Sequence, residues 1–291
     1  MRMYIMCGNV GTGKSLFAKK IAKLEGGVIV NMDSIVESVH GGDNDRYNSV
    51  LRPIYHAAEK ALIAEAAKES VPIIVDRTCI DRNARSRYIQ AAKRRGYRVI
   101  AVDFGPGTED SLHRRVIEGR GIPRFQWEGT HSYMQGKWEP PVLEEGFDHV
   151  ISPPADATFT FWAVDFDGTI VYDAFPRIGE KRMPVINWMR TIYRDLCNFI
   201  IIESSRTKDY LFEMRKYLIE NNIPFDFINE NPVKLPFSEK VYADHYVSAR
   251  NADFTPETLE EQETRTILRG QNDWTDSEFI ESMHNYAIAR D

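Results

Sequence analysis

The chain has no apolar run approaching the roughly 20 residues that span a bilayer. Its opening stretch, MRMYIMCGNVG, lacks the layout of a secretory signal. Cysteine is nearly absent: Cys7, Cys79 and Cys197 are odd in number, and none stands in a CxxC pair. That leaves no disulfide framework and predicts buried or incidental thiols in a reduced, cytoplasmic protein. An internal repeat is missing as well, since the two halves share no motif. So is a basic excess: the net charge is −6, at first sight an argument against a nucleic-acid partner.

What is present qualifies that last absence. Between Ala252 and Asp291 stand ten acidic and three basic residues, so the acid is concentrated in the tail. Arg77 to Arg98 carries eight basic residues, with Asp76 and Asp81 alongside. A basic surface there would meet phosphate backbone locally; the alternative is a solvated helix face. The 291 residues, 43% of them hydrophobic, suffice for two packed domains.

Apolar strand-like runs alternate with helical patterns. Strands are expected at Met3–Cys7, Val28–Asn31, Pro72–Val75 and Arg98–Phe104, with helices from Lys14, at Pro53–Glu69, at Asn83–Arg95 and at Thr108–Ile117. This alternation predicts an α/β fold, a parallel sheet covered by helices on both faces. The Pro-rich ISPPADATF, Ile151–Phe159, breaks the pattern and marks a domain boundary. A second α/β series follows, with strands at Phe159–Val164, Phe199–Ile202, Phe225–Ile228 and Val241–Val247 and helices near Val185–Asp195 and at Lys208–Glu220. The expected domains are 1–152, 158–254 and a helical extension over 255–291. That tail would serve as a packing element or an oligomer contact.

Gly8-Asn9-Val10-Gly11-Thr12-Gly13-Lys14-Ser15 fits G-x-x-x-x-G-K-[ST] between a strand and a helix. A chance match in a chain of this length is on the order of 1% at average residue usage. Gly8, Gly11 and Gly13 let backbone N–H groups turn toward phosphates, Lys14 reaches the β- and γ-phosphates, and the Ser15 hydroxyl ligates Mg²⁺. ATP and Mg²⁺ are therefore the expected ligands. Asp33, after the second strand, is placed to take a proton from an acceptor hydroxyl, the alternative being an N-cap. Asp76 ends the strand PIIVD as a Walker-B-like acid for Mg²⁺ or its water. The stretch HRRVIEGRGIPR offers Arg114, Arg115, Arg120 and Arg124 as lid arginines against a transferring phosphoryl group.

GNVGTGKS, NMD, VDRT and an arginine lid containing Arg120-Gly121 together resemble the kinase domain of bacteriophage-type polynucleotide kinase/phosphatase. The resemblance covers about the first half. It implies transfer of the ATP γ-phosphate to a 5′-hydroxyl end, with Lys14 and Ser15 on ATP·Mg²⁺, Asp33 as general base and Arg120 on the phosphates. The family often has an arginine three residues after the base, which helps hold the acceptor phosphate; here that residue is Val36.

AVDFDGTI, Ala163–Ile170, looks like the first motif of haloacid-dehalogenase phosphatases. Asp165 would attack phosphorus and Asp167, on the same side two residues on, would act as general acid and base, both also serving Mg²⁺. By the same resemblance Ser204, after the strand FIIIE, would hydrogen-bond the phosphoryl group, Lys240 would balance charge, and the cap would be small. Where that branch ends its last strand in two aspartates, this chain has Ser248 and Ala249. Mg²⁺ prefers carboxylate oxygens, and Asp244 lies about 13 Å back along the strand. The expected protein is a DNA or RNA end-processing enzyme that prepares ends for a ligase, with a competent 5′-kinase and a weak or inactive 3′-phosphatase. The alternatives are a kinase of a nucleotide, modified base or small metabolite, and a second domain that binds without turnover.

Overall fold

The computed structural model describes residues 1–42, 47–118, 122–153, 159–231 and 241–249. They fall into two compact units, one up to residue 153 and one from residue 159. The expected helical extension over 255–291 lies outside the described residues.

The first unit holds strands β1 (Arg2–Cys7), β2 (Val28–Asn31), β3 (Ile73–Asp76), β4 (Arg98–Asp103) and β5 (His149–Ile151), all parallel and ordered β2-β3-β1-β4-β5. Its helices are α1 (Lys14–Glu25), α2 (Met32–Val39), α3 (Arg52–Lys68), α4 (Arg82–Lys93), α5 (Glu109–Ile117) and α6 (Arg124–Gly136). A parallel strand is buried on both faces and reads as a continuous apolar run. Accordingly Met3 through Cys7 are fully buried. Met3, Ile5 and Cys7 pack with Ile63 and Ala66 of α3 and Ile89 and Ala92 of α4. Tyr4 points the other way, and its hydroxyl donates to Glu25 at the end of α1. Gly26 stops α1 in the left-handed region, its N–H donating to Ala22 O.

The second unit holds β6 (Thr160–Asp165), β7 (Asn198–Glu203), β8 (Phe227–Ile228) and β9 (His245–Val247), parallel in the order β8-β7-β6-β9, with α7 (Met183–Tyr193) and α8 (Lys208–Glu220). Val164, Phe166, Trp188, Met189, Ile200 and Met214 centre its core. Asp165 pairs in register with Glu203, while Ala163 and Val164 pair with Tyr246 and Val247.

The mixed α/β class with parallel sheets agrees with the sequence reading. Three elements were not foreseen. α2 follows β2 with no intervening loop, because Asn31 is both the last strand residue and the N-cap. α6 buries only Trp127 and His131, too thin a stripe to stand out. β5 is three residues long and abuts the Pro-rich break. β9 is also shorter than expected: Val241 and Ala243 are buried against Ala163 and Ile201 without extending the strand.

The basic run Arg77–Arg98 is not one surface. Arg85 is fully buried, with Nε 2.8 Å and Nη2 2.7 Å from the Glu145 carboxylate and Nη1 donating to the carbonyls of Cys79 and Glu139. Lys93 pairs with Asp148 at 2.7 Å. Removing one partner of a buried ion pair strands the other charge. Arg85→Ala is therefore expected to destabilise the first unit by roughly 3–5 kcal/mol, read as the shift in urea midpoint at constant m-value. A loss under about 1 kcal/mol would contradict this role.

Candidate functional site

In open parallel sheets, ligands bind beyond the carboxyl ends of the strands where the strand order reverses. In the first unit that place is the end of β1, and the loop Gly8–Gly13 occupies it. Gly8 N–H donates to Thr78 O at 2.8 Å and Asn9 N–H to Gly105 O at 3.2 Å, which ties the loop to the ends of β3 and β4. The Asn9 side-chain amide donates to Pro106 O at 2.7 Å and to His131 O at 3.0 Å. Gly11 has φ 73°, and a Cβ there would stand 1.9 Å from the Ser111 carbonyl oxygen. Glycine is obligatory at this position for both reasons.

Lys14, the first residue of α1, is buried; its ammonium donates to Asn9 O, and to Thr12 Oγ1 at 3.2 Å. Burial pushes its pKa down to about 8, opposed by the Asp76 carboxylate and assisted by the Arg115 guanidinium. Ser15 is exposed in the same first turn. Asn31 links the two acids. Its Oδ1 accepts from Ser34 N at 3.0 Å, which caps α2 and fixes Asp33 in the first turn, and its Nδ2 donates to Asp76 Oδ2 at 2.7 Å. The helix cap is thus Asn31 and not Asp33.

These groups share one pocket of about 350 Å³. It is lined by Gly11, Lys14, Ser15, Asn31, Asp33 and Asp76, and also by Tyr47, Arg52, Tyr55, His56, Arg77 and Arg115. Lys14, Ser15, Asp33 and Asp76 are accordingly brought together. Gly8 and Gly13 shape the loop at φ 152° and 90°. Arg124 is not among the lining residues. It sits at the start of α6, largely exposed, and pairs with Glu128 at 2.7 Å. Arg115 instead lines the pocket, held by Glu118 at 2.7 Å and over the Trp127 ring at 4.3 Å, and Arg114 Nε donates to Gly11 O at 3.2 Å. Arg120 lies outside the described residues. Asn31, Tyr47, Arg52 and His56 escaped the sequence reading; only Asn31 carried a signal, an Asx residue at a strand end ahead of an acid. Val36 is buried with Ile35 and Tyr55, between α2 and α3.

A nucleoside triphosphate with Mg²⁺ suits this donor set. Ser15 and Asp76 offer hard oxygens beside the Lys14 ammonium, and the phosphates themselves supply further oxygens. Among the described residues no group of three or more His, Cys, Asp or Glu side chains could hold a metal alone.

In the second unit, Asp165 ends β6, and its Oδ2 accepts from Thr169 Oγ1 at 3.3 Å and Ser248 Oγ at 3.4 Å. Ala249 N–H donates to Thr169 Oγ1 at 2.9 Å. Residues 248 and 249 therefore lie beside Asp165. Asp244 does not: it is bound to the Phe161 backbone at 2.8 and 2.9 Å, at the other end of β6. Both Asp167 carboxylate oxygens accept from Arg206, at 2.7 and 2.8 Å, and this fully buried guanidinium also donates to Pro176 O and Arg177 O. Gly168 supplies the turn at φ 88°. The Ser204 backbone is fixed by Asn229, and its hydroxyl accepts from Arg206 N–H at 3.2 Å. Arg206 stands two residues after Ser204 and carries no motif of its own. Lys240 lies outside the described residues. Ser248 and Ala249 bring no carboxylate beside Asp165, so a Mg²⁺ held there would gain only neutral oxygens from them. That is a poor set for so hard an ion.

The lowered pKa of Lys14 sets a pH test. Below about 8 the group is an ammonium; above it, a neutral amine without charge for phosphate. Apparent affinity for a non-hydrolysable ATP analogue is expected to fall on the order of tenfold between pH 7 and pH 9. Lys14→Met should bind weakly and without that pH dependence. Titration calorimetry across this range decides.

Residues 3–121 match the model of a family described as an AAA domain. A search of curated proteins finds no match to this sequence. Among solved structures, a conserved protein from Bacteroides thetaiotaomicron is 26% identical over 39% of this chain and 99% of its own, with a TM-score of 0.32. A chain of the Pnkp1/Rnl/Hen1 RNA repair complex is 15% identical over 98% of this chain and 93% of its own, with a TM-score of 0.38. A fungal RNA kinase is 14% identical over 53% and 77%, also with a TM-score of 0.38. The parallel sheet, the phosphate loop and the family match together make the first unit similar to a P-loop, nucleotide-binding domain of that family.

Proposed function

We propose that residues 1–152 transfer the γ-phosphate of ATP to the 5′-hydroxyl end of a DNA or RNA strand, and that residues 158–254 form a haloacid-dehalogenase-like 3′-phosphatase domain with little or no turnover. The observation that carries the first part is the single pocket gathering Lys14, Ser15, Asp33 and Asp76 at the end of β1. The loop N–H groups and the Lys14 ammonium hold the β- and γ-phosphates. Ser15 and Asp76 are the residues that would hold Mg²⁺ here, and the ion would offset the phosphate charge. Asp33 takes the proton of the acceptor hydroxyl as that oxygen bonds to the γ-phosphorus and the bond to ADP breaks. Arg115 neutralises charge from the lid side, with Arg120 in the same role by family resemblance.

A 5′-kinase joined to a 3′-phosphatase leaves a 5′-phosphate and a 3′-hydroxyl, the ends a ligase consumes. In the second domain Asp165 is the nucleophile, Asp167 the acid and base held by Arg206, Ser204 the phosphoryl contact, and Lys240 balances charge by family resemblance. The Ser248 and Ala249 positions beside Asp165 support low turnover, since they remove carboxylates from the metal site.

Two outcomes follow. With labelled ATP and Mg²⁺, a 5′-hydroxyl oligonucleotide should accept label; Lys14→Ala and Asp33→Ala should each lower kcat at least 100-fold, the scale of losing a phosphate clamp or a general base. Label going to a nucleoside or metabolite and to no oligonucleotide would reject the polynucleotide assignment. Hydrolysis of a 3′-phosphate oligonucleotide should be near background and should rise in the double variant Ser248→Asp, Ala249→Asp. Brisk Mg²⁺-dependent hydrolysis by the natural sequence, lost in Asp165→Asn, would overturn the low-turnover reading.

A further inference from the structure

Folding divides the basic run Arg77–Arg98. Arg77 lines the pocket, Arg85 is buried against Glu145, and Lys93 pairs with Asp148. Arg82, Arg87, Arg94 and Arg95 stay exposed. From Arg82 to Arg98 the sequence has seven basic residues and no acid. Asn83, Arg87, Gln90 and Arg94 are spaced four, three and four residues apart, so they form one stripe along α4 and its C-cap. All four are exposed, on the side opposite Arg85, Ile89 and Ala92. Arg94 Nε donates to Gln90 O at 3.2 Å, and Arg95 Nη1 to Ala91 O at 3.0 Å. Those carbonyls steady the stems without opposing the charge. Among the described residues no ion pair engages Arg82, Arg94 or Arg95. Arg87 lies 3.6 Å from Glu59 with its side chain 45% exposed. The carboxylates around α4 are occupied: Glu59 by the Tyr88 hydroxyl, Glu139 by Arg82 N–H, Glu145 by Arg85 and Asp148 by Lys93.

An ordinary solvated helix mixes the two signs of charge. α3 pairs Lys68 with Glu65, α6 pairs Arg124 with Glu128, and α8 pairs Lys216 with Glu220. α4 contains no acid with which to do the same. In a chain of net charge −6 its outer face is a local reversal of sign. Guanidinium groups and side-chain amides are good donors to phosphate oxygens. From Asn83 to Arg94 the stripe is about 16 Å long at the helical rise. One nucleic-acid strand carries a charge per roughly 3.4 Å, so the stripe matches about five phosphates. Its place also fits. β3 ends at Asp76 in the pocket, and α4 follows it in a parallel sheet, so the stripe starts at the sheet edge that carries the phosphate loop and runs away from it.

We propose that the outer face of α4, through Arg87, Arg94 and Arg95, is a second nucleic-acid contact outside the pocket, holding the phosphate backbone of a polynucleotide strand away from its reacting end. It extends the polynucleotide reading above and is tested apart from it. Binding of a fluorescent, 5′-phosphorylated single-stranded 20-mer to the full chain is followed by anisotropy at several salt concentrations, so no phosphoryl transfer is involved. The triple variant Arg87→Gln, Arg94→Gln, Arg95→Gln should bind at least tenfold more weakly. Its slope of log affinity against log salt should be shallower by about two, the share of three phosphate contacts on a single strand. Arg87→Lys, Arg94→Lys, Arg95→Lys should stay within about threefold of the natural chain, because a backbone contact needs charge and not a particular fork. Label transfer to a 5′-hydroxyl dinucleotide, too short to reach α4, should stay within twofold in both variants, which also shows that they fold. Unchanged affinity and salt slope in the glutamine variant, or no binding by the natural chain, would overturn the proposal. So would polyglutamate binding as tightly as the oligonucleotide, which would make the face a site for acidic protein. Binding that the glutamine variant loses, in a chain that labels no acceptor, keeps the α4 surface and rejects the kinase reading.

Discussion

An ammonium group taken out of water must find acceptors, and the first unit is arranged around meeting that demand for Lys14. The Asn9 carbonyl and the Thr12 hydroxyl accept from it, and the Asp76 carboxylate favours its charge. Those acceptors exist only while the loop keeps its shape, and the loop is held from far along the chain. Asn9 is bound to Pro106 and His131, Gly8 to Thr78, and α5 lies so close that Gly11 has no room for a side chain. The setting of the Lys14 ammonium therefore depends on packing at residues 76, 106, 111 and 131.

Asn31 exerts a second, smaller constraint of the same kind. One amide side chain caps α2 with its oxygen and holds Asp76 with its nitrogen. Asp33 and Asp76 come from different strand ends, yet their placement is coupled because neither half of that amide can rotate without the other. The α2–α3 contact through Val36 and Tyr55 then decides which side chains face the two acids across the pocket.

The second unit repeats the parallel arrangement around a different centre. β6 delivers Asp165 to the carboxyl edge of its sheet, and register brings residues 248 and 249 beside it, while Asp244 stays at the far end. The rise of an extended chain fixes this outcome, since the three residues of β9 hold Asp244 about 13 Å from Ser248. Arg206, with no solvent exposure of its side chain, locks Asp167 through both carboxylate oxygens.

Much of this was legible in the sequence. Continuous apolar runs ending in a glycine loop or an acid announce buried parallel strands, because only a strand covered on both faces can be apolar throughout. Gly8 to Ser15 and Asp165 to Gly168 are local devices whose spacing is set by backbone geometry over a few bonds, so Lys14, Asp33, Asp76, Asp165 and Asp167 could be singled out before any fold was known. The sequence could not tell that Arg85 is buried against Glu145 while Arg77 lines the pocket, since a run of like charges looks the same whichever way each side chain turns. Nor could it find Arg52, Tyr47 and His56, which carry no motif and reach the site only because α3 packs on α2. The chain alone determined the glycine loop and the strand-end acids, because their spacing is local. The tertiary structure decided which distant side chains surround them, because burial and charge pairing depend on neighbours in space that local spacing does not record.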